Sequence, residues 1–219
     1  MKKLLLSIFS ILSLQMFSQN SFAGYGKYEQ ENLALKNKHT HIKYLFMGDS
    51  ITEFWKAKNP DFFSKNNYID RGISGQTSSQ MVLRFQQDVI DLKPKNVIIL
   101  AGTNDIAQNS GPISNEKILD NIKSMVEIAR YNNIKVILCS VLPAYDFSWK
   151  KGLNPALKIM ILNTMIKKYS KEKKLKYVDY HSEMQDERNG LDKIYTEDGV
   201  HPNEKGYQKM ENILLPYLH

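Results

Sequence analysis

The chain has 219 residues, of which 42% are hydrophobic and 24% charged. That composition suits one globular domain with a sizeable core and is too apolar for a disordered chain. A single cysteine excludes an intramolecular disulfide and a zinc site of several thiolates. The formal charge of +7 comes from 30 basic and 23 acidic residues, and it leaves two readings open: a nucleic-acid footprint or a lysine-rich exterior.

Residues 1–23 read as an export signal. Lys2 and Lys3 form a basic start, and residues 4–17 are apolar except for Ser7, Ser10, Ser13 and Gln15. Ser21 and Ala23 are the small residues that a signal peptidase requires, so cleavage is expected before Gly24, leaving residues 24–219 as the mature domain. The apolar run is shorter than the roughly 20 residues needed to span a bilayer. Cys139 lies far downstream, which argues against a lipid anchor at the N-terminus. A periplasmic or secreted protein without stable membrane insertion is expected. Loss of the leader removes two lysines and no acid, lowering the formal charge from +7 to +5.

A helix over 28–38 is expected to pack outside a sheet. Five short apolar runs, 42–47, 68–70, 97–101, 135–142 and 176–179, read as strands. Helical spacing of three and four marks 79–92, 114–131, 154–173 and 203–218. Strands alternating with helices imply an α/β protein with a parallel sheet covered on both faces. The continuous run Val97-Ile98-Ile99-Leu100 fits a strand buried on both sides. Cys139 lies in such a run and reads as an inert buried thiol. Ligands of open parallel sheets bind beyond the carboxyl ends of the strands, which directs attention to the segments that follow them.

Three polar blocks occupy those positions, and a fourth precedes the final helix. Gly48-Asp49-Ser50-Ile51-Thr52 follows the first strand and places Ser50 at or near a helix start, where free backbone N–H groups favour developing negative charge. Arg71-Gly72-Ile73-Ser74-Gly75 follows the second strand and can aim a backbone N–H into the same cleft. Gly102-Thr103-Asn104-Asp105 follows the third, and an asparagine amide can donate to an oxyanion without carrying charge. Asp198-Gly199-Val200-His201 precedes the last helix, with an imidazole able to take a proton and a carboxylate able to orient it. Each block alone is as well explained by turns and caps. Together they supply a nucleophile, a base, an orienting acid and oxyanion donors.

These blocks closely resemble the GDSL, or SGNH, hydrolase superfamily, whose four marker residues are matched in order by Ser50, Gly75, Asn104 and His201. The resemblance runs from about Glu29 through the final helix. It implies a flavodoxin-like three-layer α/β/α sandwich with a five-stranded parallel sheet in the order 2-1-3-4-5. It also implies a serine esterase mechanism with no cofactor and no metal. Ser50 would attack the ester, His201 would shuttle the proton, and Asp198 would orient His201. The N–H groups of Ser50 and Gly75 and the amide of Asn104 would hold the oxyanion, with Gly72 as an alternative to Gly75.

The expected substrate is a small-molecule or glycan ester, and O-deacetylation of a carbohydrate is the leading reading. Trp55, Tyr145, Phe147 and Trp149 are aromatic residues in or near loops that could stack on a sugar, or could equally cover the sheet edge. A lysophospholipase or thioesterase is the rival enzyme. A non-catalytic carbohydrate-binding module would be expected to lack Ser50 or His201. Lys167, Lys168, Lys171, Lys173, Lys174 and Lys176 cluster at a predicted helix end, where cations offset the helix dipole, so no nucleic-acid partner is expected. The scattered His39, His41 and His181 lack ligand spacing. The oligomeric state is left open.

Overall fold

The computed structural model describes residues 22–218, so the expected export signal falls almost wholly outside the described residues. Five strands run β1 Tyr44–Gly48, β2 Ile69–Gly72, β3 Asn96–Ile99, β4 Lys135–Cys139 and β5 Lys176–Val178. They form one parallel sheet in the order β2-β1-β3-β4-β5, as expected. The helices are α1 Glu29–Asn37, α2 Ser50–Lys58, α3 Pro60–Ser64, α4 Ser78–Asp88, α5 Thr103–Ile106, α6 Asn115–Tyr131, α7 Pro155–Lys173, α8 Tyr180–Met184 and α9 Glu204–Leu214.

Side-chain alternation along each strand divides the interior in two. Leu45, Met47, Val97, Ile99, Val136 and Leu138 face α4, α6 and α7, where Phe85, Ile122, Ile159 and Leu162 meet them. Tyr44, Phe46, Ile98, Ile137 and Val178 face the other way, against Trp55, Phe63, Tyr207 and Met210 from α2, α3 and α9. Both faces are covered, which is why the strands read as unbroken apolar runs. Cys139 is buried, and burial pushes its thiol up to about 12, in keeping with an inert core residue.

The differences from the sequence reading lie at element ends and in the short helices α3, α5 and α8, which have no expected counterpart. The fourth strand stops at Cys139 rather than at residue 142. Beyond it the Asn163 carboxamide takes the place of a neighbouring strand, accepting from Val141 N (2.8 Å) and donating to Val141 O (2.9 Å). The expected 79–92 helix breaks at Val89 into α4 and a 3-10 turn, Ile90–Leu92. The last helix yields at Leu214 to a 3-10 turn containing Pro216, which has no N–H to continue it.

Helix α1 docks by polar contacts. Asn32 is buried, donates to Asp88 Oδ1 (2.7 Å) and accepts from Arg71 Nε (2.9 Å). Asp88 also pairs with Arg84 at 3.0 Å, and both side chains are fully buried. Arg84 then donates to Gln76 Oε1 and to Gly48 O (3.0 Å), tying the end of β1 to the loop before α4. Losing one member of such a pair strands a buried charge, at a cost of roughly 3–5 kcal/mol. The site described next sits on this frame.

Candidate active site

Ser50 is the first residue of α2, and Asp49 caps that helix by accepting from Ile51 N at 2.9 Å. The Ser50 N–H is therefore among the first-turn donors that have no partner within the helix. Ser50 Oγ lies 2.9 Å from His201 Nε2, and His201 Nδ1 lies 2.6 Å from Asp198 Oδ2. The three side chains form one hydrogen-bonded chain, although 151 residues separate Ser50 from His201.

Asp198 is fixed by its own loop. Its Oδ1 accepts the backbone N–H groups of Val200 (2.9 Å) and His201 (2.8 Å). Burial pushes its carboxyl up, but the hydrogen bonds from the His201 ring and from these backbone groups outweigh it and hold Asp198 below the usual carboxylate range. Thr196, which the sequence reading did not single out, accepts from Gly199 N (3.0 Å) and donates to His201 O (2.8 Å), closing the loop beneath the imidazole.

The second and third blocks meet the first at the carboxyl edge of the sheet. The Asn104 side chain is buried, with Nδ2 at 3.3 Å from Asp49 Oδ2 and 3.1 Å from Gln76 O. Asp105 accepts from Ser78 N (2.8 Å) and Ser78 Oγ (2.6 Å), anchoring α5 to the start of α4. Asp49 is fully buried, and burial raises its carboxyl to about 7 against the opposing hydrogen bond from Ile51 and the pull of His201.

Gly72 and Gly75 separate clearly. The Gly72 N–H donates to Asp70 Oδ1 at 2.6 Å, so it is already engaged. A β-carbon at Gly72 would lie 2.2 Å from Glu53 N, so this glycine lets β2 approach α2. Gly75 adopts φ +78°, a conformation that glycine takes without strain, and a β-carbon there would meet nothing closer than 3.9 Å.

The four aromatic residues named from sequence divide in two. Trp55 is not at the rim: it is 2% exposed, stacks on Phe62 and Tyr207, and donates from Nε1 to Glu211 Oε1 (2.9 Å). Phe147 is also a core residue, fully buried beneath Trp149 at 5.1 Å. Amphipathic spacing in α2 and the apolar floor under the 143–152 loop claim these two rings. Trp149 is 46% exposed with its ring centre 6.2 Å from that of His201. Tyr145 is exposed and lies under the Arg188 guanidinium, 4.9 Å away. The sequence reading missed Phe54, which is 38% exposed and 5.3 Å from His201 on a different element from Trp149.

Only part of the lysine cluster is at the other end of the sheet: Lys167 pairs with Asp179 just beyond the carboxyl end of β5, at 3.2 Å. Arg130, Lys135, Lys173, Lys174 and Lys176 line a cavity of about 540 Å³ at the amino edge of β3, β4 and β5, where α6 and α7 end. Two helix carboxyl ends there favour cations on their own account. Among the described residues, no group of three or more His, Cys, Asp or Glu side chains could hold a metal ion. No described helix is long and apolar enough to cross a membrane.

Known proteins resemble this chain in fold and sequence. A GDSL-like lipase from Bacteroides thetaiotaomicron superposes with a TM-score of 0.86 at 46% identity, covering 90% of this chain and 98% of that one. The isoamyl acetate-hydrolyzing esterase of Saccharomyces cerevisiae is 25% identical over 207 residues, 80% of this chain and 85% of the relative. The acetylxylan esterase of Xylanibacter ruminicola is 27% identical over 147 residues, 58% of this chain. The chain spans 29% of that esterase's length and 36% of another curated relative's. Residues 46–209 match the family model for the GDSL-like Lipase/Acylhydrolase family, and the chain belongs to that family of ester-bond hydrolases.

Proposed function

We propose that the protein hydrolyses carboxylic esters through an acyl-enzyme on Ser50, and that its substrate is an acetyl ester of a carbohydrate. The observation that carries the mechanism is the continuous chain from Ser50 Oγ through His201 to Asp198. His201 Nε2 takes the serine proton as Oγ bonds to the ester carbonyl carbon. The oxyanion meets the N–H groups of Ser50 and Gly75, and the Asn104 amide stabilises it by turning one hydrogen away from its long contact with Asp49 Oδ2 (3.3 Å). Collapse breaks the bond to the alcohol, which leaves with the proton from His201. Water, deprotonated by the same imidazole, then releases the carboxylate and restores Ser50. Asp198 keeps the Nδ1 proton in place throughout.

Two lines support the acetyl ester. The two curated esterases named above act, by their names, on acetylxylan and isoamyl acetate. Phe54 and Trp149 offer exposed aromatic surface beside His201, of the kind on which a sugar ring stacks. The export expected of residues 1–23 agrees with a glycan substrate outside the cytoplasm.

A substrate panel tests both parts. Acetate release from acetylated xylooligosaccharides should be fast, and p-nitrophenyl esters should lose rate steeply as the acyl chain lengthens. Equal rates on long-chain esters with no acetate released from saccharides would reject the substrate. Unchanged turnover in Ser50→Ala would reject the mechanism.

A further inference from the structure

We propose that Asn109 is a positioning residue that fixes the orientation of the Asn104 amide, and with it the oxyanion site, an inference resting on the acyl-enzyme reading above. The Asn109 Nδ2 group donates to Asn104 Oδ1 at 2.9 Å and to Gly75 O at 3.1 Å. One amide group thus bridges the two residues that, beside Ser50, supply oxyanion donors.

The chemistry of the Asn104 carboxamide makes this contact decisive. Its NH2 end faces Asp49 Oδ2 and Gln76 O, both acceptors. Its oxygen faces the Asn109 donor. Turning the amide over would set oxygen against the Gln76 carbonyl and, once Asp49 is ionised, against its carboxylate, and NH2 against NH2. Three neighbours therefore select one orientation, which keeps the NH2 end at the site with one hydrogen on Asp49 at 3.3 Å that an oxyanion can draw away, and Asn109 is the neighbour that reads the oxygen end. Its second bond holds the carbonyl of Gly75, a residue at φ +78° with open space around it.

Asn109 is itself placed by the backbone. Its N–H donates to Asn104 O at 3.0 Å, and Gln108 before it turns the chain at φ +57°. Lys150 Nζ, from the loop that carries Trp149, donates to Gln108 O at 3.1 Å. The side chain lies on the solvent side of this turn. Water can replace a donor lost there, but it does not select one amide orientation.

Two variants of the full-length enzyme separate positioning from other roles. Asn109→Ala should lower kcat about tenfold, less than the roughly 100–1,000-fold loss for removing an oxyanion donor outright. Asn109→Asp keeps the shape but sets a carboxylate against Asn104 Oδ1 and Gly75 O, and should lower kcat further, by about fiftyfold. KM should stay within about twofold in both, since the contact acts on the transition state. Tm should stay within about 2 °C, because the Asn109 side chain is exposed, its bond to Gly75 is exposed and its bond to Asn104 is only partly buried. A kcat for Asn109→Asp equal to or above that of Asn109→Ala would overturn the proposal. So would a rise in KM without loss of kcat, which marks a substrate contact, or a large fall in Tm, which marks a structural role. Activity retained in Ser50→Ala would instead defeat the mechanism beneath it.

Discussion

Asp198 holds His201 twice, through the ring Nδ1 at 2.6 Å and the backbone N–H at 2.8 Å. The backbone bond sets where the imidazole starts, and the ring bond sets which nitrogen carries the proton. In Asp198→Asn an amide NH2 facing Nδ1 favours the wrong tautomer. We expect kcat to fall by about 10,000-fold with little change in KM, as for the orienting acid of other serine hydrolases. Steady-state kinetics on p-nitrophenyl acetate reads this directly, and a loss of less than tenfold would remove Asp198 from the proton path.

The aromatic residues give a second contrast. Trp55→Ala and Phe147→Ala empty core positions and should each cost about 3–5 kcal/mol of stability. Phe54→Ala and Trp149→Ala remove exposed rings beside His201 and should raise KM for an acetylated saccharide several-fold with little change in Tm. Urea unfolding and saccharide kinetics on the four variants check it. A KM effect confined to Trp55 or Phe147 would contradict the assignment.

The two glycines of the second block should fail differently. Gly72→Ala drives a methyl group into the backbone of α2, so β2 and α2 must part and Tm should fall steeply. Gly75→Ala has room for its methyl but not the conformation, and forcing it costs roughly 1–2 kcal/mol. Relief of that strain moves the N–H, so activity should fall more than stability. Thermal melts and kcat of the pair decide this; the reverse ranking of Tm would contradict it.

Asp49 carries a pH dependence whose sign is fixed. Burial raises its carboxyl to about 7 in the folded protein, against a usual value of about 3.9. Between these values the folded state binds a proton that the unfolded state has lost, so stability falls as pH rises. The stabilisation is complete below about pH 4 and is lost as pH rises through about 7. Asp49→Asn cannot ionise. Whatever constant offset the substitution introduces, its Tm relative to wild type should rise between pH 4 and pH 8. A relative Tm independent of pH would show that Asp49 titrates normally.

The sheet and the long helices were legible because their signals are long and periodic. Residues 114–131 and 154–173 carry apolar positions at helical spacing, and α6 and α7 fall within one residue of those bounds. Short elements such as α3, α5 and α8 offer no such period. The four site blocks were legible as residue types, three of them after strands and the fourth before the last helix. What holds them was not: Thr196, Asn109 and Phe54 matter through contacts that only the folded chain creates. Trp55 shows the converse limit, since an aromatic residue five positions after Ser50 is as well placed for the core as for the cleft.

The acyl-enzyme itself is the central claim, and covalent capture tests it most directly. Wild-type enzyme treated with a p-nitrophenyl alkylphosphonate should release one equivalent of p-nitrophenolate and lose activity in step. Peptide mass analysis should place one phosphonyl group on Ser50, and Ser50→Ala should take up none. Inactivation with the group on another residue and Ser50 unmodified would contradict the account.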